Sequence, residues 1–293
     1  MKKRRHFFIM VLGSLVWLLF SVYLSLAWIE ELTKLFPKVL AIVVIGGIAY
    51  LPGFLAANLF ITLLFVNPKP LTLPFSQPLT VLIPAHNEEK NLYFALEALS
   101  RQDYPGELEI IVIDNASTDK TREIAEAAKK AFSLNFKILS EPRKGKHHAL
   151  NTGLKEITTK YFVCVDADTV LHEQALSLIS AKIAQEEKTG AVAGGIFVKN
   201  RNDNLLTRMQ YYDYFLSINA IKHLQSHYGS TLVAQGAFSI YDTALVKELG
   251  GWDEADGEDI VLTWKILRSK RSVLFEPRAA SFTVVPSTIK SFF

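Results

Sequence analysis

The chain has 293 residues, of which 49% are hydrophobic, and a formal net charge of +3 at pH 7. This length allows about one or two domains, and so small a net charge leads us to expect no nucleic-acid partner. Because Cys164 is the only cysteine, an intramolecular disulfide is excluded, which is typical of proteins in a reducing compartment.

Two uncharged apolar runs, residues 7–29 and 39–66, account for the excess of hydrophobic residues. Each is long enough to cross a hydrocarbon core of about 30 Å as a helix. The first run exceeds the apolar core of a signal peptide and is closely followed by the second, which favours two retained membrane helices. Pro52 and Gly53 predict a kink or a break within the second helix. We therefore predict two transmembrane helices in residues 1–66.

The basic residues indicate how these helices are oriented. Residues 2–5 are all basic, whereas the loop at residues 30–38 holds two acids and two lysines. An excess of basic residues marks the cytoplasmic side, and two crossings return the chain to it. We therefore expect a multi-pass protein of the plasma membrane whose catalytic domain is cytoplasmic.

Residues 67–78 contain four prolines and predict a stiff, extended linker. Beyond it, short apolar strand patterns alternate with helical patterns, which predicts an α/β domain over residues 79–293 with a mostly parallel, Rossmann-like sheet and helices on both faces. The predicted strands are residues 79–85, 108–115, 136–140, 161–169, 191–198, 236–241 and 272–276. The predicted helices are residues 88–101, 119–132, 148–157, 172–187, 204–224, 242–249 and 258–269.

Three of the predicted strands end in acids or other polar groups, although the body of each strand is apolar. In open α/β sheets, ligands bind outside the carboxyl ends of the strands. The sequence therefore predicts a ligand site at this edge of the sheet. The three strand ends are Ala85-His86-Asn87-Glu88, Asp114-Asn115 and Asp166-Ala167-Asp168.

Asp166 and Asp168 are two residues apart, and in an extended segment such residues point to the same side. Two neighbouring carboxylates repel each other, so the pattern favours a divalent cation. Mg²⁺ takes carboxylate and phosphate oxygens together with few protein ligands, so the pair could clamp a diphosphate. Taken alone, so short a pattern is more often a strand–helix turn with solvated acids.

Two further segments carry candidate chemistry. Residues 141–153 place three Lys and Arg side chains and two histidines near a predicted helix start, which favours phosphate, although a solvated basic turn is the alternative. Glu258 and Asp259 lie in the first turn of a predicted helix, where the helix dipole already favours acids. In a functional interpretation, Asp259 is a general base that deprotonates an acceptor hydroxyl.

Seven short stretches resemble motifs of the family 2 inverting glycosyltransferases of the GT-A fold, and they occur in the same order as in that family. The likeness is strongest to the membrane-bound synthases of poly-N-acetylglucosamine, cellulose and hyaluronan. The stretches are IPAHNEE, VIDNASTD, RKGKHHALNTGL, VDADT, QGAFSIY, GGWD and GEDIVLTWKI.

The resemblance implies a role for each candidate residue. Asp114 would bind uracil, and Lys146 would lie near the nucleotide, with Ala85, Asn87 and Glu88 as further donor-binding residues. Asp166 and Asp168 would form the motif that binds the nucleotide diphosphate and the metal. Glu258 and Asp259 would match the acids of the family's Thr-Glu-Asp, with Asp259 as the base and Gly257 in place of the threonine.

The resemblance also implies the reaction and its participants. The donor would be a UDP-sugar, with N-acetylglucosamine as a candidate sugar, the cofactor Mg²⁺ or Mn²⁺, and the acceptor a glycan or a lipid. A single displacement would convert an α-linked donor into a β-linked product.

Other interpretations compete with this one. DADTV resembles the Asp-x-Asp motif of haloacid-dehalogenase phosphatases, with Asp166 as nucleophile, but that motif normally opens the domain with its lysine downstream, whereas Lys146 lies upstream. A non-catalytic nucleotide-sugar-binding subunit and a transferase that adds one sugar to a lipid carrier or a glycolipid both stay open.

Processive members of the resembled family carry a Gln-x-x-Arg-Trp motif after the catalytic core, followed by more membrane helices. This sequence stops at PSTIKSFF without that motif. We expect these 293 residues to bind UDP and metal but to make no long polymer alone, with a downstream segment or a partner chain supplying the missing part.

Overall fold

The computed structural model describes residues 2–65, 68, 70–72, 74–132 and 134–292. The last residue of the predicted second span, Val66, and three residues of the predicted linker, Asn67, Lys69 and Leu73, lie outside the described residues. The same holds for two residues of the predicted catalytic domain, Ser133 and Phe293. The chain divides into two compact units, Met1–Pro68 and Lys69–Phe293.

The first unit consists of helices α1 (Lys2–Thr33), α2 (Lys38–Ile45) and α3 (Leu51–Phe65), with a π-helical stretch, Gly46–Tyr50, between α2 and α3. Two helical segments, Arg4–Thr33 and Lys38–Phe65, each have a mean hydropathy of 2.3 and are long and apolar enough to cross a membrane. Their length and composition agree with the two predicted spans.

The predicted interruption of the second span takes the form of the π-helical stretch immediately before Pro52. Proline has no N–H to donate to the preceding turn, and a local π-helical turn accommodates such a disturbance without ending the helix. The Tyr50 hydroxyl in this stretch hydrogen-bonds the Ser25 hydroxyl of α1 over 2.5 Å. The helix therefore continues through the irregularity instead of breaking.

The second unit contains eight strands and nine α-helices among the described residues. The strands are β1 (Leu79–Ala85), β2 (Leu108–Asp114), β3 (Asn135–Ser140), β4 (Tyr161–Val165), β5 (Val170–Leu171), β6 (Thr189–Val198), β7 (Phe238–Asp242) and β8 (Ser272–Thr283). The helices are α4 (Leu92–Ser100), α5 (Thr121–Ala131), α6 (Lys146–Glu156), α7 (Ala175–Ala184), α8 (Leu205–Asp213), α9 (Ile221–Tyr228), α10 (Thr243–Glu248) and α11 (Glu258–Arg268). A π-helical stretch, Tyr214–Ala220, joins α8 to α9, and a short helix, α12 (Ile289–Phe292), lies after the last strand.

The strands form one sheet in the order β3-β2-β1-β4-β7-β6-β8-β5. Four pairings are parallel (β1–β2, β2–β3, β1–β4 and β6–β8), as predicted. β7 is antiparallel to β4 and β6, and β5 is antiparallel to β8, so this half of the sheet is mixed. The sequence pattern missed this because an apolar run reports burial on both faces but not the direction of a neighbour.

Helices cover both faces of the sheet, which confirms that part of the predicted fold. Helices α4, α5 and α7 pack against one face, where Val81 and Ile83 of β1 point. Helices α6, α10 and α11 pack against the other face, where Leu82 points. The alternation of side chains along each strand therefore supplies two separate apolar cores.

The last strand is longer than predicted. β8 continues through Pro277 to Thr283, and its register against β6 shifts between Gly194 and Gly195. Proline cannot donate to a ladder hydrogen bond and usually marks the end or an irregularity of a strand, so the sequence pattern ended the strand at residue 276. The extension brings Thr283 next to Asp168, where its hydroxyl lies 3.4 Å from the carboxylate.

Candidate active site

A cavity of about 360 Å³ opens at the carboxyl ends of β1, β2 and β4. Its polar lining combines acids and bases that are far apart in the sequence. Five predicted site residues line it: Ala85, Glu88, Lys146, Asp166 and Asp168. Among its other lining residues are His86, Asn115, Lys144 and Gly145. The cavity lies at the sheet edge where the sequence predicted a ligand site.

Asp166 and Asp168 share this cavity for a reason different from the predicted one. We expected an extended strand through residue 169, but β4 ends at Val165 and the next residues form a turn. The Thr169 N–H donates to the Asp166 carbonyl over 3.0 Å and closes that turn. The prediction that strand alternation aligns the two carboxylates is therefore wrong, because the turn brings both to the cavity.

The electrostatics of the cavity favour a cation. Burial raises the pKa of Asp168, and the neighbouring Asp166 carboxylate raises it further. Burial also raises the pKa of Glu88, with Asp168 and Asp166 adding to the effect, although a hydrogen bond from Asn91 opposes it. Burial and mutual repulsion disfavour the charged form of these carboxylates, and a nearby positive charge would stabilise it.

The residues present fit a divalent cation that is shared with a ligand. Among the described residues, no group of three or more His, Cys, Asp and Glu side chains forms a complete metal site. Mg²⁺ and similar cations are commonly held by only one or two carboxylates, with phosphate oxygens and water completing the shell. Asp166 and Asp168 match such a partial site.

Lys146 lies between Asp166 and the predicted catalytic acids. Its ammonium lies 2.6 Å from Asp166 Oδ1 and 3.9 Å from Glu258 Oε1. Burial alone lowers the pKa of Lys146, but Asp166, Asp259 and Glu258 together raise it well above its usual range. Because Lys146 is the first residue of α6, its charge adds to the positive end of that helix. The lysine therefore stays charged between two sets of acids.

Asp259 has two oxygens in different environments. Oδ2 accepts the Gly236 N–H over 2.7 Å, whereas Oδ1 is buried and has no hydrogen-bond partner among the described residues. Burial raises the pKa of Asp259 to about 6, although the Lys146 charge opposes the shift. One oxygen of this carboxylate is fixed by a hydrogen bond, and the pKa of the group lies near neutrality. Such a carboxylate has the properties of a general base.

Two glycines shape the surroundings of Asp259. A Cβ on Gly236 would lie 2.5 Å from Asp259 Oδ2 and 2.8 Å from Lys146 Nζ, so only glycine allows this close approach. Gly257 caps α11 with φ 83°, a left-handed conformation that strains a β-branched residue. The glycine that stands in place of the resembled family's threonine is therefore required by the backbone here.

Two predicted donor residues do not line the cavity. Asp114 ends β2 directly beside Ala85, and its Oδ1 accepts the Ser117 N–H over 3.2 Å. Asn87 has φ 56°, and its side-chain oxygen accepts the Thr118 N–H over 2.8 Å. Both side chains therefore organise the loops after β1 and β2 in this structure.

Asn115 lines the cavity, as expected for the polar end of β2, but the sequence analysis assigned it no role of its own. It is 4% exposed, and its side-chain amide donates to the carbonyls of Glu141 and Arg143 over 3.1 and 2.6 Å. Its side-chain oxygen accepts the Gly145 N–H over 3.0 Å. An amide directly after an apolar strand was the available signal. The bonds show that Asn115 holds the loop that carries Lys144 and Lys146.

Comparison of the sequence with known families places this cavity in context. Residues 80–250 match the family described as Glycosyl transferase family 2. The chain is similar to poly-beta-1,6-N-acetyl-D-glucosamine synthases of Staphylococcus epidermidis and Staphylococcus aureus, at 30% identity over 273 and 226 residues. These matches cover 93% and 76% of this chain but 61% and 54% of the relatives, so the chain spans between half and two thirds of their length.

Solved structures support the fold assignment. The mannosyltransferase PcManGT from Pyrobaculum calidifontis, in complex with GDP-Man and Mn²⁺, has a TM-score of 0.62 at 25% identity, covering 75% of this chain and 62% of that one. Staphylococcus aureus TarS has a TM-score of 0.55 at 25% identity, covering 71% of this chain and 37% of that one. A TarS fragment in complex with UDP-GlcNAc is similar in fold, at 23% identity and a TM-score of 0.52, covering 72% of this chain and 59% of that one. These likenesses confirm the expected GT-A fold.

Proposed function

Because this chain belongs to glycosyl transferase family 2, as its motifs predicted, we propose that it moves a sugar from a UDP-sugar to a glycan acceptor with inversion at the anomeric carbon. One observation carries the proposal: Lys146 shares a cavity with Asp166 and Asp168, and its ammonium contacts Asp166 while the charge of Asp259 acts on it. Donor-binding charge and a candidate base thus lie within one group of side chains.

The donor nucleotide is assigned to the cavity at the ends of β1 and β2. Ala85 and Glu88 line it, and Asp114 lies beside Ala85 in the sheet register, where it is assigned to the uracil. Asn87 is assigned to the donor side because it holds the loop after β1 to the loop after β2. Lys146 and the N-terminus of α6 face the diphosphate, since a helix N-terminus and a lysine both favour phosphate oxygens.

Asp166 and Asp168 are assigned to a Mg²⁺ or Mn²⁺ ion. When bound, such an ion supplies positive charge to the diphosphate as it leaves. Asp168 is the better candidate for a metal ligand, because Asp166 already contacts Lys146. The repulsion between the two carboxylates supports this assignment, since it raises the pKa of Asp168 in the free protein.

Asp259 is assigned as the base for the acceptor hydroxyl, with Glu258 beside it. The acceptor oxygen forms a bond to the anomeric carbon while the bond from that carbon to the phosphate oxygen breaks. The electron pair leaves with UDP, and the hydroxyl proton passes to the Asp259 carboxylate, whose pKa is raised to about 6. A single displacement of an α-linked donor gives a β-linked product.

The relatives support a more specific proposal for the substrates and the location. N-Acetylglucosamine is the proposed sugar because the similar synthases are named for its polymer. The unit Met1–Pro68 is proposed to anchor the chain in the plasma membrane, with the catalytic unit on the cytoplasmic side. Nucleotide sugars and divalent cations are available on that side.

Radiolabelled transfer from a panel of UDP-sugars, with product size resolved, tests the proposal. We expect incorporation from UDP-N-acetylglucosamine into β-linked product, and its loss in the Asp259→Asn variant. Transfer of a single sugar to lipid would indicate the lipid acceptor instead. UDP binding without turnover of any donor would contradict the enzymatic proposal.

A further inference from the structure

Lys222 is a buried lysine on the face of α9 that points into the catalytic unit. It is 8% exposed, and it forms no ion pair with a carboxylate in the described part of the chain. Its ammonium donates to the Val233 carbonyl over 2.6 Å and to the side-chain oxygen of Gln235. Burial lowers the pKa of Lys222 to about 8, although the Asp259 charge opposes the shift. Burying an ammonium is costly unless its hydrogen bonds are satisfied.

The segment that Lys222 holds, residues 233–236, leads directly to Asp259. The Ala234 N–H donates to Thr263 Oγ1 over 2.9 Å, and the Thr263 hydroxyl donates to the Asp259 carbonyl over 2.6 Å. The Gln235 amide donates to the Gly194 carbonyl. The Gly236 N–H then donates to Asp259 Oδ2. Each residue of the segment is therefore fixed by at least one contact.

The helix that carries Lys222 is itself anchored to the sheet. Asn219, three residues earlier, accepts the Ile196 N–H over 3.1 Å and donates to the Ile196 carbonyl over 2.7 Å. It does so from the π-helical stretch between α8 and α9; such stretches often mark functional positions. Lys222 therefore reaches residues 233–236 from an attachment on β6.

We propose that Lys222 is a positioning residue for the base: by holding Val233 and Gln235 it keeps the Gly236 N–H on Asp259 Oδ2 and so fixes the orientation of the Asp259 carboxylate. This inference rests on the proposed function and adds a residue that does not touch the substrate. It depends on the two bonds from Lys222 and on the one bond from Gly236 to Asp259.

An apolar side chain of similar length at position 222 would leave the Val233 carbonyl and the Gln235 oxygen without their donor. Buried acceptors that lose a partner favour rearrangement, and residues 233–236 would shift to find water. The Gly236 N–H would move off Asp259, whose other oxygen has no described partner to hold it. None of residues 233–236 lines the cavity, so we expect donor binding to change less than the rate of transfer.

Lys222→Met in the full membrane-inserted chain tests the proposal. We expect kcat to fall by ~10–100-fold, because small misplacements of catalytic groups have effects of this size. KM for the UDP-sugar and the affinity for UDP, measured by calorimetry, should stay within about twofold of wild type. Lys222→Arg should recover part of the lost kcat, since it retains a charged donor.

Combining Lys222→Met with Asp259→Asn distinguishes a positioning role from a general loss of stability. Lys222→Met should lower activity little or not at all when Asp259 is already asparagine, because groups that act as one unit are not additive. Lys247→Met is the matched control, since Lys247 donates to the Ile157 carbonyl over 2.7 Å at a different place. We expect wild-type kcat for that control.

The outcomes separate the inference from the function on which it rests. Unchanged kcat in Lys222→Met, or an equal loss in the wild-type and Asp259→Asn backgrounds, would overturn the positioning role. If Lys222→Met does not fold, Gln235→Met removes one of the same bonds and should give the same split between kcat and KM, and unchanged kcat there would equally overturn the role. A wild-type chain with no transferase activity would overturn the proposed function, and with it the role of Lys222.

Discussion

Asp259 shows how the environment of a single residue sets its chemistry. The same carboxylate caps the first turn of α11 in the sequence pattern and accepts the Gly236 N–H in the folded chain. Its unoccupied Oδ1 and its pKa of about 6 distinguish it from an ordinary helix-capping acid. The residue-scale predictions therefore concern this group and the carboxylates of the cavity.

Asp259→Asn should reduce transfer by ~10²–10⁴-fold, the usual contribution of acid–base catalysis. UDP affinity should be nearly unchanged, since the residue does not line the donor cavity. Steady-state transfer and calorimetry with UDP measure the two effects. Asp253→Asn is the control, because this more exposed acid pairs with Lys265 instead. Transfer near the wild-type rate in Asp259→Asn would show that Asp259 only caps the helix.

The rate at saturating donor should depend on the protonation of Asp259. A base works in its deprotonated form, and its pKa is raised to about 6. Activity should therefore be full above about pH 7 and fall about tenfold per pH unit below pH 6. The residual activity of Asp259→Asn should lack this acidic limb. If the rate of that variant falls at low pH with the same midpoint, the titrating group is not Asp259.

UDP binding should require Mg²⁺ or Mn²⁺, because Asp166 and Asp168 alone present negative charge to the diphosphate. Calorimetry with and without a chelator measures this directly, and Asp168→Ala should lose affinity as chelation does. Asp203→Ala, a change at an exposed acid outside the cavity, serves as the control. Equal UDP affinity in the presence and absence of chelator would contradict the metal assignment.

At the scale of elements, the site depends on how loops are tied to one another across the sheet edge. Asn115, at the end of β2, holds the loop that precedes α6. In that loop the Arg143 guanidinium donates to both oxygens of the buried Glu141, which holds the pKa of the carboxyl well below its usual range. The position of Lys146 therefore rests on contacts between two strand ends.

Asn115→Ala should weaken UDP binding and lower the free energy of unfolding. Three buried or partly buried backbone groups would lose their partner, at up to about 1–3 kcal/mol for each group left unsatisfied. Calorimetry with UDP and urea unfolding followed by tryptophan fluorescence measure the two effects. Asn200→Ala is the matched control, since Asn200 also bridges backbone groups, at Val285, but lies outside the cavity. It should lose stability while retaining UDP affinity, and equal affinity in both variants would contradict the role of Asn115.

At the scale of the whole molecule, the two units have different surfaces. The apolar side chains of α1, α2 and α3 are largely exposed, whereas those of the catalytic unit are packed in two cores. Exposed apolar surface of this extent is unfavourable in water and suits a lipid environment. The proposed topology follows from this contrast and from the basic residues at the start of the chain.

Cysteine labelling can test that topology, because Cys164 is buried. Lys34→Cys, between α1 and α2, should react with a membrane-impermeant maleimide added outside intact cells. Lys120→Cys, exposed on the catalytic unit, should react only after the membrane is opened. Labelling of Lys120→Cys from outside would contradict a cytoplasmic catalytic unit.

The sequence by itself determined the elements and much of the site. Apolar periodicity predicted β1, β2, β3, α5 and α11 to within two residues at each end. It could do so because a strand or helix that buries one face has apolar residues at regular intervals in the sequence. Five predicted site residues line one cavity because the carboxyl ends of neighbouring parallel strands lie together. Those inferences needed only short stretches of sequence.

Only the tertiary structure decided which distant groups meet. The turn at Asp166, the bond from Gly236 to Asp259, and the placement of Lys146 between Asp166 and Glu258 join residues from different elements. The burial of Lys222 against residues 233–236 has no local signal either, since a lysine in a helix pattern predicts a solvated face. Such contacts depend on strand order and on the packing of helices over the sheet, which local periodicity does not encode.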